Sequence, residues 1–211
     1  MECRCTRRDT SQSPNPFWMG VVFWGLVMAV GVTLTASGQT PEEKGLAIAT
    51  EANARDIGWG DMSAELRMIL RNRNGDENTR HMSTRALEVA DDGDKTLVVF
   101  KEPRDVKGTA FLSFSHKTGD DDQWLYLPAL KRVKRITSRN KSGPFMASEF
   151  AYEDISSQEV EKYTYKWLRD EELDGVDCFV IEQYPVDKGS GYTRQVAWIG
   201  KAEYRPWKID F

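Results

Sequence analysis

The chain has 211 residues, 40 % hydrophobic and 29 % charged, with a formal net charge of −4. That apolar content excludes a disordered chain, and the acidic balance argues against a general nucleic-acid binder, which carries a net basic field. The length suits one domain with a targeting segment.

Arg4, Arg7 and Arg8 form a positive leader, followed by the apolar run Phe17–Leu34 and the small residues Ala36 and Gly38. This pattern predicts a secretory signal over residues 1–38, cleaved after Gly38. The alternative is an uncleaved inner-membrane anchor, since 18 apolar residues can span a thinned bilayer. Either reading exports the remainder. Cys3 and Cys5 fall in the leader, so Cys178 remains alone and no internal disulfide is expected.

From residue 39 onward the signals are those of one domain, 39–211. Thr40, Pro41 and Glu43 have the spacing of a capping box with proline in the first turn, and predict a helix whose face is Leu46, Ala49, Asn53 and Ile57. The period then changes from helical to two. In "SAELRMILRNRNG" Ala64, Leu66, Met68 and Leu70 point one way, and Asn74-Gly75 predicts a hairpin turn. Residues 77–90, 96–103, 108–116, 122–128 and the return from Lys131 read as further strands. So do "KYTYKWL", "DCFVIEQYP", "YTRQVAWIG" and "YRPWKIDF". Strands never alternate with helices, so the class is mainly β (α+β), an antiparallel meander or barrel. Ser142–Phe150 predicts a short helix with Pro144 in its first turn. Phe211 stops inside a strand-like pattern, which leaves open a fragment of a longer product or a shortened paralogue.

Catalytic chemistry has few candidates. His81 and His116 stand alone rather than in ligand spacing. The trio Asp120, Asp121 and Asp122 reads as a solvated turn before a strand sooner than as a cation site. Cys178 lies in the most apolar strand and reads as core. No nucleophile elbow or glycine-rich phosphate loop occurs, so no metal, cofactor or enzymatic activity is expected. The apolar and aromatic strand faces read either as core or as the lining of a cavity for an apolar ligand. As a cavity, its candidate lining is Leu66, Met68, Leu70, Trp124, Tyr126, Tyr165, Trp167 and Trp198, with Trp124 and Tyr126 foremost.

The stretch "WLYLPALKRVKRI…KSGPFMASEFAYEDI", with Trp124-x-Tyr126-x-Pro128 and then Gly143-Pro144-Phe145-Met146, resembles the LolA-like family of outer-membrane lipoprotein-sorting proteins. "GWGDMSAELRMIL", "FKEPRDVKGTAFLSF" and "YTRQVAWI" support the resemblance, which covers most of residues 41–211. It implies an incomplete, curved antiparallel β-barrel with helices over its open side. It also implies a periplasmic location and an apolar cavity that shields the acyl chain of a lipid or lipoprotein. The implied partners are an inner-membrane transporter and an outer-membrane acceptor. On this reading Phe145, Met146 and Phe150 belong to a lid helix. Family members generally continue with further strands, so closure of the cavity near residue 211 is an open point.

Six cations fall between Lys131 and Lys141 without one acid. Lys131, Arg132, Lys134 and Arg135 read either as a solvated strand edge or as the contact of an accessory module with an anionic membrane surface or a transporter's periplasmic part.

Overall fold

The structure, a computed structural model, describes residues 38–211. The expected export leader lies outside the described residues. After helix α1 (Pro41–Arg55) come ten strands: β1 (Asp61–Arg71), β2 (Glu77–Leu87), β3 (Lys95–Glu102), β4 (Ala110–Phe114), β5 (Asp122–Leu127), β6 (Arg132–Ile136), β7 (Tyr163–Leu173), β8 (Val176–Pro185), β9 (Gln195–Gly200) and β10 (Pro206–Asp210). They form two antiparallel sheets in meander order, β1 to β6 and β10-β9-β8-β7. The sheets do not close on each other, and the result is an incomplete antiparallel β-barrel.

The capping box of α1 is formed as the sequence predicts. Thr40 Oγ1 accepts from Glu43 N–H at 3.1 Å, and Glu43 Oε2 accepts from Thr40 N–H at 2.9 Å. The buried face differs from the expected one. Gly45 and Ile48 are buried, whereas Leu46 and Ile57 are exposed. Gly45 explains the rotation, because a Cβ there would lie 2.7 Å from the backbone nitrogen of Trp167. The helix therefore presses its glycine onto the β7 backbone, and Ile48 packs against Tyr165, Ile181, Ala197 and Ile199. On the other face of this sheet Cys178 and Val180 are fully buried against Trp198.

In the six-stranded sheet the inner face is set by register. Leu66 pairs with Met82, Met82 with Phe100, Val98 with Phe111, and Phe111 with Leu125. Burying such a face contributes about 25 cal/mol for each Å² of apolar surface removed from water. Between β6 and β7, residues 137–162 cross over this face as short 3-10 turns. The expected helix at Ser142–Phe150 is instead the single turn Phe145–Ala147. Met146 and Ala147 adopt φ of 51° and 59°, a left-handed geometry that cannot propagate as a right-handed helix.

Candidate functional site

A cavity of about 750 Å³ lies between the inner face of β1–β3 and the segment Phe145–Ser157. Its floor is Met68, Met82, Thr84 and Val98, and its far wall is Phe145 and Ile155. Phe145 is fixed there because its ring meets Phe111 edge-on at 5.3 Å and Tyr152 at 5.5 Å. Two polar ties hold the segment down. Arg80, buried on β2, donates from a terminal guanidinium N–H to the Met146 carbonyl. Gln123 donates through Nε2 to Ser156 Oγ at 2.6 Å and to the Tyr152 carbonyl at 3.3 Å.

The cavity opens at the β1 margin. Met82, Val98 and Phe145 at its floor and wall are buried, but Trp59, Met62, Leu66, Ile69 and Phe150 are exposed. Trp59 is set in place by Glu88, whose carboxylate accepts the N–H groups of Gly58 at 2.6 Å and Gly60 at 2.7 Å. Those bonds hold the Glu88 carboxyl below its usual range. Asp94 on the same wall is shifted the other way, raised chiefly by desolvation. The lining is predominantly apolar, with Asp56, Arg67, Thr84, Thr96, Ser156 and Ser157 as its other polar groups, which suits a site for an apolar ligand with polar handles, and its volume falls within the usual range of about 300–1,000 Å³.

The sequence grouping of ligand residues is redistributed. Leu66 and Met68 line this cavity, while Leu70 shares their face of β1 farther along. Trp124 and Tyr126 do not reach it. Gln123 and Leu125 are the buried residues of β5, so the two rings project from the opposite face, where Trp124 meets Phe114 at 5.3 Å. Tyr165, Trp167 and Trp198 belong to the second sheet, and Tyr165 beneath α1 has its hydroxyl pushed far up by burial. Of the expected lid, Phe145 and Phe150 line the cavity, and Met146 packs against the neighbouring core. Sequence reading missed Trp59, Met82 and Val98. Met82 faces Leu66 only in the observed register, which a two-residue Asn74-Gly75 turn does not give.

The candidates set aside for chemistry have structural partners. Asp121 pairs with Lys162, and Asp122 with Arg135. His116 shares a 2.6 Å hydrogen bond with Asp92. Lys131, Arg132 and Lys134 are exposed on the rim and make no ion pair among the described residues. No helix among the described residues is long and apolar enough to cross a membrane.

A family model described as an uncharacterized protein matches residues 92–211. No curated protein matches the sequence. Among solved structures, a "putative outer membrane lipoprotein-sorting protein domain" from Vibrio parahaemolyticus is 63% identical, with 81% of this chain and 72% of that one covered and a TM-score of 0.79. A DUF1329 family protein from Desulfovibrio piger is 33% identical over 81% of this chain and 73% of that one, with a TM-score of 0.74. A LolA superfamily protein from Nitrosomonas europaea shares the fold at 20% identity, 78% and 70% coverage and a TM-score of 0.58. With relatives at 63% and 33% identity over most of both chains, the chain belongs to the family of this lipoprotein-sorting domain and the DUF1329 protein, and it has the LolA-like fold.

Proposed function

We propose that residues 39–211 form a periplasmic carrier domain, exported by the leader of residues 1–38, that holds an acyl chain of a lipid or lipoprotein in the cavity under Phe145. The observation that carries this reading is the apolar, pre-formed cavity of about 750 Å³ with its mouth at β1. Burying an acyl chain contributes about 0.8 kcal/mol for each methylene, so a carrier in water needs a covered apolar groove and no catalytic group. The similarity to a lipoprotein-sorting domain supports the same reading. A carrier of this kind takes its load from an inner-membrane transporter and yields it to an outer-membrane acceptor.

The purified protein is expected to retain an amphiphile through native mass spectrometry and to bind a fluorescent fatty-acyl probe. Absence of both a co-purified amphiphile and probe binding would sink the proposal.

A further inference from the structure

The two sheets have four margins, and three of them carry devices that stop strand addition. β6 is five residues long, with Lys131 beside it and Arg132, Lys134 and Arg135 in it. Its pairing puts Lys134 opposite Leu125 and Arg132 opposite Leu127, so two of the cations point to the core side. β10 is five residues long, begins with Pro206 and breaks register after it. β7 breaks register between Trp167 and Arg169 and is crossed by α1 at Gly45.

β1 has none of these. It pairs with β2 over eleven consecutive residues without a register break or a proline. Its charges, Asp61, Glu65, Arg67 and Arg71, all lie at odd positions, and two are matched, Glu65 by Lys101 and Arg71 by Glu77. Its even positions are Met62, Ala64, Leu66, Met68 and Leu70.

The backbone phase of the strand follows from its ends. Antiparallel residues alternate between pairs that exchange both hydrogen bonds and pairs that exchange none. Asn72 N–H donates to the Asp76 carbonyl at 3.0 Å, and Glu88 N–H to the Gly60 carbonyl at 2.8 Å. Both pairs are even-numbered on the β1 side, so even β1 residues bond β2. Ser63, Glu65, Arg67 and Ile69 therefore turn their N–H and C=O groups to the open side, where they have no partner among the described residues. The cavity is lined by Leu66 and Met68 from one face of β1 and by Arg67 and Ile69 from the other. Its mouth thus passes around this open edge.

We infer that the open edge of β1 receives an extended peptide as an added strand, namely the segment of an acylated polypeptide next to its lipid. The inference rests on the acyl-carrier reading. A row of alternating donors and acceptors at strand spacing is matched by another polypeptide backbone, whereas a lipid headgroup meets it at one point. An acyl chain leaving the cavity crosses this row, so whatever is attached to it begins beside β1. The acyl chain supplies affinity and the main-chain ladder adds to it without reading the cargo's side chains.

The test compares two synthetic probes that share one S-diacylglyceryl-cysteine. One continues as a peptide of about eight residues, enough to match a strand, and the other carries the same peptide with alternate backbone nitrogens methylated. The unmethylated probe is expected to bind about tenfold more tightly, equivalent to about 1.4 kcal/mol. It should also slow hydrogen exchange at Ser63, Glu65, Arg67 and Ile69. Ser63→Pro removes one outward donor at an edge position that tolerates proline, and should bring the two probes toward equal affinity. Should that variant not fold, the probe pair on the wild-type protein still decides. Equal binding of both probes by wild type overturns strand addition and leaves the cavity reading intact. Binding of neither sinks the cavity reading itself. Protection of these amides without probe, rising with protein concentration, would mean that a second copy occupies the edge, and would also overturn the inference.

Discussion

The two margins of the six-stranded sheet are built from the same material, a strand in an antiparallel ladder, and behave as opposites. At the β6 side the sheet is filled: Phe111, Leu125 and Ile136 are buried, and the edge is closed off by cations. At the β1 side it is left unfilled: Met62, Leu66 and Ile69 remain 49%, 46% and 42% exposed beside a cavity. On the proposed function, stability and binding fall to different ends of one sheet. The packed end holds the fold, and the open end offers its exposed apolar surface to the ligand.

The sharpest way to break this contrast is a pair of large-to-small substitutions. Phe111→Ala removes a fully buried ring that packs on Phe145 and Tyr152, and is expected to cost about 3–5 kcal/mol in urea unfolding. Leu66→Ala, on a half-exposed residue, is expected to cost about 1 kcal/mol or less while weakening acyl-probe binding. Equal stability costs would contradict the division. Next in size is the tie between the margins. Arg80→Leu frees the Met146 carbonyl and should cost about 1–3 kcal/mol. Hydrogen exchange should rise over residues 145–150 and stay unchanged in β8. Uniform acceleration across both sheets would show instead that Arg80 holds the whole fold.

The cationic margin should matter little for stability. Replacing Lys131, Arg132 and Lys134 together by Gln is expected to change it by less than about 0.5 kcal/mol and to leave acyl binding intact. Self-association should then become visible in sedimentation, as the edge loses its charges. Loss of acyl binding would place the ligand at the wrong margin.

The smallest effect concerns the Asp92–His116 pair, which joins the β2–β3 turn to the end of β4. Hydrogen bonding to Asp92 raises the His116 pKa above its ordinary 6.5, and the same bond lowers Asp92 to about 2. A raised histidine pKa gives stability that is full below about 6.5 and is lost as pH rises through the folded value. A lowered aspartate gives stability present above its ordinary 3.8 and lost as pH falls toward about 2. The pair should therefore support the fold most between about pH 4 and about pH 6.5, and progressively less as pH rises from there through the raised histidine value. His116→Gln should flatten the upper limb of a thermal-stability profile. An unchanged upper limb would exclude the pair as its cause.

Much of the fold was legible because local signals fix local structure. Thr40, Pro41 and Glu43 determine the start of α1, and alternation determines most of the strands. Alternation alone does not say which face of a strand meets the core. Trp124 and Tyr126 stand out as ring candidates for a ligand, but the inner face of β5 is marked by Gln123, whose amide ties down Ser156. Hairpin register was a second hidden variable. A strict two-residue Asn74-Gly75 loop would set Leu66 against Ser83, whereas the observed loop Asn72–Asp76 sets it against Met82 and completes the apolar floor. The break between the sheets was beyond periodicity altogether, since it depends on the turns of residues 137–162 docking on the inner face. That break is why Tyr165 and Trp167 pack in a core beneath α1, and Trp198 packs with Cys178 and Val180 on the other face of the second sheet.

The central claim is that the cavity between β1–β3 and Phe145 holds an acyl chain. Ala86 lines it from β2, so Ala86→Trp fills the space without removing core packing. The direct measurement is the affinity of a fluorescent acyl probe for wild type and Ala86→Trp, alongside their urea unfolding. Near-equal stability and a loss of affinity of at least about tenfold are expected. Unchanged affinity in a folded Ala86→Trp protein would contradict the central claim.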